Sequence, residues 1–159
     1  MMNKPLIFLL ACLAGTANAA GHSTYCNQRF GFCADYPDTL TMAPQEESGE
    51  GGHGRNFSDS NGFTMVLYGY NNVDESTLAS TKKGDEELFD TITYRKQGSN
   101  WYALSGYQGD NILYVKSWVG IGAINRLSLD YPTRLKTTYD GDVNYIVRHF
   151  KPGDLAEMH

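Results

Sequence analysis

The residues of this 159-residue chain that could do chemistry are four histidines, three cysteines and a dense run of carboxylates. The histidines are His22, His53, His149 and His159. No two stand at the helical i, i+4 spacing that lets two imidazoles share a zinc ion, so no zinc signature is present. His22 has a different prospect. Cleavage of a leader after Ala19 would make the chain begin Ala20-Gly21-His22. A free amine, two deprotonated amides and a third-position imidazole then form a square-planar nitrogen set of the kind Cu(II) and Ni(II) favour. That chelate is the one metal site the residues suggest, and no other cofactor is expected. Asp85, Glu86, Glu87 and Asp90 are dense enough to offer a carboxylate pair, but such a run is ordinarily a solvated helix face. No Gly-x-Ser-x-Gly nucleophile elbow occurs. A Ser-His-Asp triad is a spatial arrangement that spacing does not reveal. The expectation is a chain with no catalytic residues.

The stretch SGEGGHGRNFSDSNGF, residues 48–63, holds four glycines between Gly49 and Gly54, with His53 among them. A phosphate loop needs Gly-Lys-Ser/Thr opening a helix, whereas here Gly-Arg-Asn-Phe runs into a strand. A dinucleotide fingerprint needs a strand before it and a helix after it, and neither is signalled. An EF-hand needs alternating oxygen ligands ending in a bidentate Glu, and DSNG is too short. The reading is a mobile surface loop over 48–62 that can touch a partner through His53 and Arg55.

The first residues, MMNKPLIFLLACLAGTANAA, carry Lys4, an apolar run from Leu6 to Leu13 and the small-x-small site Ala17-Asn18-Ala19. This is the pattern of a cleaved export signal over 1–19, and the run is far shorter than the ~20 residues of a membrane helix. The competing reading is a lipid anchor at Cys12, but Leu10 fits a lipobox poorly. An exported domain over 20–159 follows, in the periplasm or secreted, with 152–159 a flexible tail. Cys26 and Cys33 then remain, and an even pair in an oxidising compartment reads as a disulfide, the alternative being two free buried thiols.

Without Lys4 the exported part has 12 basic against 18 acidic residues, a charge of −6. No basic stripe is present, which argues against nucleic acid and against anionic membrane surfaces. A basic protein partner is compatible.

The elements that must position these residues are mostly strands. RFGFCADYP places Phe30, Phe32 and Ala34 on one face and ends at Pro37. GFTMVLYGY follows an Asn61-Gly62 hairpin signal. TITYRKQ, NWYALSGYQ and NILYVKSWVG read as a three-strand meander, and AINRLSLDYP alternates with Leu127, Leu129 and Tyr131 against Arg126, Ser128 and Asp130. One such face meets the core and the other meets water. Two segments break the strand period. NNVDESTLASTKKGDEELFD reads as a helix opened by Asn72 and Glu75 as a capping box and interrupted by Gly84. In DGDVNYIVRHFKPG, Val143, Ile146, Val147 and Phe150 fall on one helical face, with Asp140 as the cap and Pro152-Gly153 as the stop. The fold class is α+β: a single domain with a mainly antiparallel twisted sheet of about six to seven strands and two helices packed on it.

RFGFCADYPDTL, a Gly-rich polar loop, NFSDSNGFTMVLYGYNN, and then ITYR with NWYALSGYQGDNILYVK give an order of elements that resembles the Mog1/PsbP-like α/β/α sandwich of small exported bacterial domains. The resemblance spans most of Tyr25 to Phe150. Its motifs are structural, so it implies a binding or accessory role and transfers no catalytic residue.

The aromatics are the positive clue to function. Tyr94, Trp101, Tyr102, Tyr107, Tyr114 and Trp118 lie in the meander. Alternation splits them between two faces, so some meet solvent or a partner, where Tyr and Trp are enriched at binding hot spots. The alternative is core packing or cross-strand pairing. Tyr94, Trp101, Tyr114 and Trp118 join His53 and Arg55 as candidate partner-binding residues. The function expected is a non-catalytic binding protein, first an immunity or inhibitor protein that neutralises a toxin or cell-envelope hydrolase. The alternative is an envelope accessory or small-ligand-binding domain of PsbP-like type, and a hydrolase without a recognisable motif comes third.

Overall fold

The computed structural model describes residues 21–44 and 52–159. The export signal, Cys12, Ala20 and the glycines before Gly52 lie outside the described residues. Strands β1 (His22–Cys26) and β2 (Cys33–Pro37) form a separate two-stranded hairpin. The main sheet contains β3 (Thr41–Met42), β4 (Gly52–Ser58), β5 (Thr64–Asn71), β6 (Thr91–Gln97), β7 (Trp101–Gln108), β8 (Asn111–Val119) and β9 (Ala123–Pro132). Its order is β3-β4-β5-β9-β8-β7-β6, and every pairing is antiparallel. Helix α1 (Leu78–Glu86) joins β5 to β6, and α2 (Lys136–His149) follows β9 after a single 3-10 turn at Thr133–Leu135. The α+β architecture expected from the periodicity is therefore the one observed, with seven strands in the sheet.

The local chemistry explains the hairpins. Asp59 accepts hydrogen bonds from the Asn61 and Phe63 amides, and Gly62 takes φ 96°, a conformation that L side chains rarely adopt. This closes β4 onto β5. Cys26 and Cys33 face each other across the β1–β2 pair and form a disulfide. Within the turn they enclose, buried Asn27 accepts from the Arg29 and Phe30 amides through Oδ1. The stretch read as a loop over 48–62 needs correction. Its residues 52–58 are strand β4, paired along its length with β5 and at Phe57 and Ser58 with β3: Phe57 turns into the core against Tyr25 and Tyr36, and Gly54, on the opposite face, lets the Tyr68 ring pack close.

Both helices start differently from the sequence reading. Asn72 is not a helix cap. It is buried, and its amide donates to the Ser76 and Gly120 carbonyls while its Oδ1 accepts from the Ser76 amide. The α1 cap is Thr77, in a reciprocal capping box with Ser80, and Gly84 sits inside the helix without breaking it. α2 begins a turn earlier than expected, at Lys136, so Asp140 lies inside the helix and pairs with Lys136 at i, i+4. Its expected apolar stripe holds: Ile146 and Phe150 are buried, and Val143 and Val147 pack against the core.

Both faces of the sheet are covered, but not over the same strands. On one face the β1–β2 hairpin and α2 seal the larger core, with Phe30, Phe32, Met65, Leu67, Leu127 and Leu129 inside it. On the other face α1 covers β7 and β8 and closes a smaller cluster of Tyr102, Leu104, Val119 and Ile124. The expectation of one wet face is thus corrected over β7 and β8, where a second layer excludes water. Residues 152–159 run along the β8–β9 turn, with the Leu155 carbonyl accepting from the Gly122 and Ala123 amides.

Candidate functional site

The hairpin and α2 leave the outer part of their own sheet face open. Cross-strand register places Tyr94, Ser105 and Tyr114 in one row across β6, β7 and β8, and Lys96, Ala103 and Lys116 in the next. Trp101 and Trp118 are direct partners in a third row. Paired residues share a face, so these three rows form one surface. Tyr107 joins it through its pairing with Ile112. Tyr94 is 46% exposed and Tyr107 42%, whereas Trp101, Tyr114 and Lys116 are half-buried.

The centre of this surface is a cation held between rings. The Lys116 Nζ lies 4.5 Å from the Trp101 ring centroid and 4.7 Å from that of Trp118. Each ring face attracts the ammonium. Burial pushes the Lys116 amine below the usual lysine range, and the neighbouring Lys96 charge adds to the effect. Burial likewise pushes the Tyr114 hydroxyl well above the usual tyrosine range. Trp101 is able to fold inward because Gly98 carries no side chain: a Cβ there would stand 2.2 Å from the indole nitrogen. Trp118 is only 7% exposed and stacks on Phe150 at 4.4 Å, so it supports the lysine from the core side and leaves little area for a partner.

The structure therefore brings together four of the six sequence-derived partner residues, Tyr94, Trp101, Tyr114 and Trp118. His53 and Arg55 lie on the same face but on β4, toward the far edge, under the β1–β2 hairpin. There His53 Nδ1 is 2.8 Å from Asn27 Nδ2, and Arg55 donates to the Ala43 carbonyl at 3.4 Å. Reading only aromatics missed Lys96 and Lys116, and Tyr107, noted among the meander aromatics, was not among the partner-binding candidates. The signal for the lysines was period 2: Lys116 sits between Tyr114 and Trp118 on one strand face, and Lys96 stands two residues after Tyr94.

A second constellation lies beneath α1. Asp85 is buried and accepts from Tyr102 Oη at 2.5 Å, from Arg126 Nη1 at 2.5 Å and from Ser117 Oγ at 3.4 Å. Burial, and then the hydrogen bond to Asp85, push the Tyr102 hydroxyl far above the usual tyrosine range, so it stays a donor. The Asp85 oxygens are thus occupied by one guanidinium and two hydroxyls drawn from three strands of the sheet. The arrangement fastens a weakly apolar helix to the sheet. The other acids of that run are at the surface, where Glu86 pairs with Arg95 at 3.4 Å.

Metal and ligand prospects are narrower. Among the described residues no group of three or more His, Cys, Asp or Glu is placed to hold a metal ion. His22 stacks on Tyr145 at 3.8 Å, and Ala20 of the N-terminal chelate lies outside the described residues. Two open clefts flank the Asn72–Ser76 loop. One of about 570 Å³ is lined by Tyr68, Tyr70 and Val73, and one of about 530 Å³ by Leu78, Val119 and Ile121. No described helix is long and apolar enough to cross a membrane.

Known proteins of similar structure settle the fold. The cyanobacterial PsbP of Synechocystis sp. PCC 6803 aligns over 91% of this chain and 98% of its own, with TM-score 0.62 and 14% identity. The chain has a PsbP-like α/β fold. LpqN of Mycobacterium tuberculosis, described as involved in cell envelope biogenesis, aligns over 87% and 88% at 12% identity with TM-score 0.48, a likeness too weak to build on. No protein-family model and no curated protein matches the chain.

Proposed function

We propose that this PsbP-like domain is an exported, non-catalytic accessory protein that docks onto another protein through the open aromatic–lysine surface of β6, β7 and β8. The observation that carries the reading is Lys116 held between Trp101 and Trp118, beside the exposed rings of Tyr94 and Tyr107, on a stretch of sheet that neither helix nor hairpin covers. Rigid aromatics with a fixed cation are the chemistry of interface hot spots. The Cys26–Cys33 disulfide fits an oxidising compartment, as does the export signal read from the sequence. The PsbP-like fold supports an accessory role. It gives no support to the narrower reading in which the partner is a toxin or a cell-envelope hydrolase.

The test is capture from envelope and secreted fractions with tagged protein, compared with Trp101→Ala and Tyr94→Ala. A stoichiometric partner retained by the wild type and lost by both variants is the expected result. Equal capture by all three would place docking elsewhere.

A further inference from the structure

The β6 strand is the end of the sheet order, and among the described residues nothing pairs with its outer side. The Gly98 amide bonds inward to the Trp101 carbonyl. Backbone amides alternate in direction along a strand of an antiparallel pair. The amides of Lys96 and Tyr94 therefore also face β7, and those of Gln97 and Arg95 face outward. The irregularity of the strand lies between Ile92 and Tyr94, so Tyr94–Gln97 forms a regular open edge.

The charge on the Tyr94–Lys96 face of this edge is one-sided. The face that carries Tyr94 and Lys96 continues through Ser105 and Ala103 on β7, Tyr114 and Lys116 on β8, and Leu127 and Leu129 on β9. Following the register row by row, no Asp or Glu stands on this face of β6, β7, β8 or β9, in a chain with a net charge of −5. Lys96 and Lys116 are close enough for the first to depress the amine of the second. On the opposite face of β6, Arg95 extends toward Glu86. Two such edges from separate copies would bring like charges together, which opposes self-pairing. An acidic strand meets the opposite situation.

We propose that the β6 edge takes an extended acidic segment of the partner protein as an added strand, with alternate carboxylates over Lys96 and toward Lys116. This rests on the docking reading above and specifies its occupant. Main-chain hydrogen bonds to Arg95 and Gln97 supply the pairing, and the period-2 placement of carboxylates supplies the selectivity. Tyr94, exposed on the edge strand itself two residues before Lys96, flanks the incoming chain.

The probe is a short synthetic peptide of alternating Glu and Val, compared with the alternating Lys and Val peptide and with the Glu–Val peptide methylated at its backbone nitrogens. The readout is amide hydrogen exchange by NMR on the purified protein. Addition of the Glu–Val peptide is expected to slow exchange at Arg95 and Gln97, with weaker binding as salt rises. Lys116→Glu should weaken binding on the order of tenfold or more. Gln97→Pro removes one outward amide without touching the inward ladder and should also weaken it. Equal binding by the N-methylated peptide, or equal binding by the Lys–Val peptide, overturns the proposal. If no peptide protects these amides while Trp101→Ala still abolishes partner capture, strand addition falls and the docking reading stands. If Trp101→Ala leaves capture intact, the docking reading falls as well.

Discussion

The two faces of the sheet are closed by different forces. On the α2 side the contacts are rings. Phe150 stacks on Trp118 and on Phe32, and Phe63 packs against Tyr131 and Tyr139. On the α1 side the decisive contact is ionic. The helix sequence LASTKKGDE has little apolar surface, and its one buried residue is Asp85, paired with Arg126. A helix that cannot bury a stripe of hydrophobes is held by a charge whose desolvation cost is offset only while the partner is present. The α2 layer should therefore respond to lost volume, and the α1 layer to a lost charge.

The largest effect is expected from Phe150→Ala. It empties a site shared by two aromatic neighbours and should cost about 4 kcal/mol, by analogy with other buried Phe truncations, read as a shift in denaturation midpoint. Asp85→Asn should follow at about 3 kcal/mol, because it leaves Arg126 without its counter-charge. The comparison sharpens with the double variant Asp85→Leu, Arg126→Met. If the layer is held by charge, the double variant should recover much of what the single one loses. A double variant no better than the single would show that the hydrogen bonds of Tyr102 and Ser117 matter more. Thr77→Ala removes the α1 capping box and should cost about 1 kcal/mol, seen as faster amide exchange within α1 and little change in α2.

The smallest effect concerns pH. Burial tends to raise the Asp59 pKa, but hydrogen bonds from Tyr139 and from the Phe63, Asn61 and Gly62 amides outweigh it and hold the group below the usual carboxylate range. The Tyr139 hydroxyl is pushed up to about 12, by burial first and then by its bond to Asp59. A carboxylate with a depressed folded pKa stabilises the fold above its unfolded value of 3.8 and loses that contribution as pH falls through the folded value. Asp130 and Asp142 act in the opposite sense, since burial raises both. Urea denaturation of wild type and Asp59→Asn at neutral pH and below pH ~3 isolates the Asp59 share. The gap should be present at neutral pH and close in acid.

These features were unequally legible in the sequence. The meander, the β9 alternation and the α2 stripe were readable because each follows one period over many residues. The start of α1 was not. Asn72 and Glu75 match a capping box in spacing, yet Asn72 spends its amide on the carbonyls of Ser76 and Gly120, and the second of these is remote in sequence. The α1 cover was hidden for a related reason. Tyr102, Ser117 and Arg126 belong to three strands, and only the sheet register places them around Asp85. The proposed docking surface was half legible. Its rings stood out by type, whereas its lysines read as ordinary solvent-facing charges until the register set Lys116 between two tryptophans.

The covered regions also define two open ones, diagonally opposed. One is the aromatic–lysine surface. The other lies on the α1 face over β4 and β5, where Val66 is 37% exposed beside Asn56 and Ser128, without lysines or tryptophans. The central claim is that only the first engages a partner. The direct measurement is photo-crosslinking with benzoylphenylalanine placed at position 94 or at position 66, carried out in envelope and secreted fractions and read by mass spectrometry. The account predicts a discrete adduct from position 94, suppressed by Trp101→Ala, and none from position 66. An adduct from position 66 with none from position 94 would contradict it.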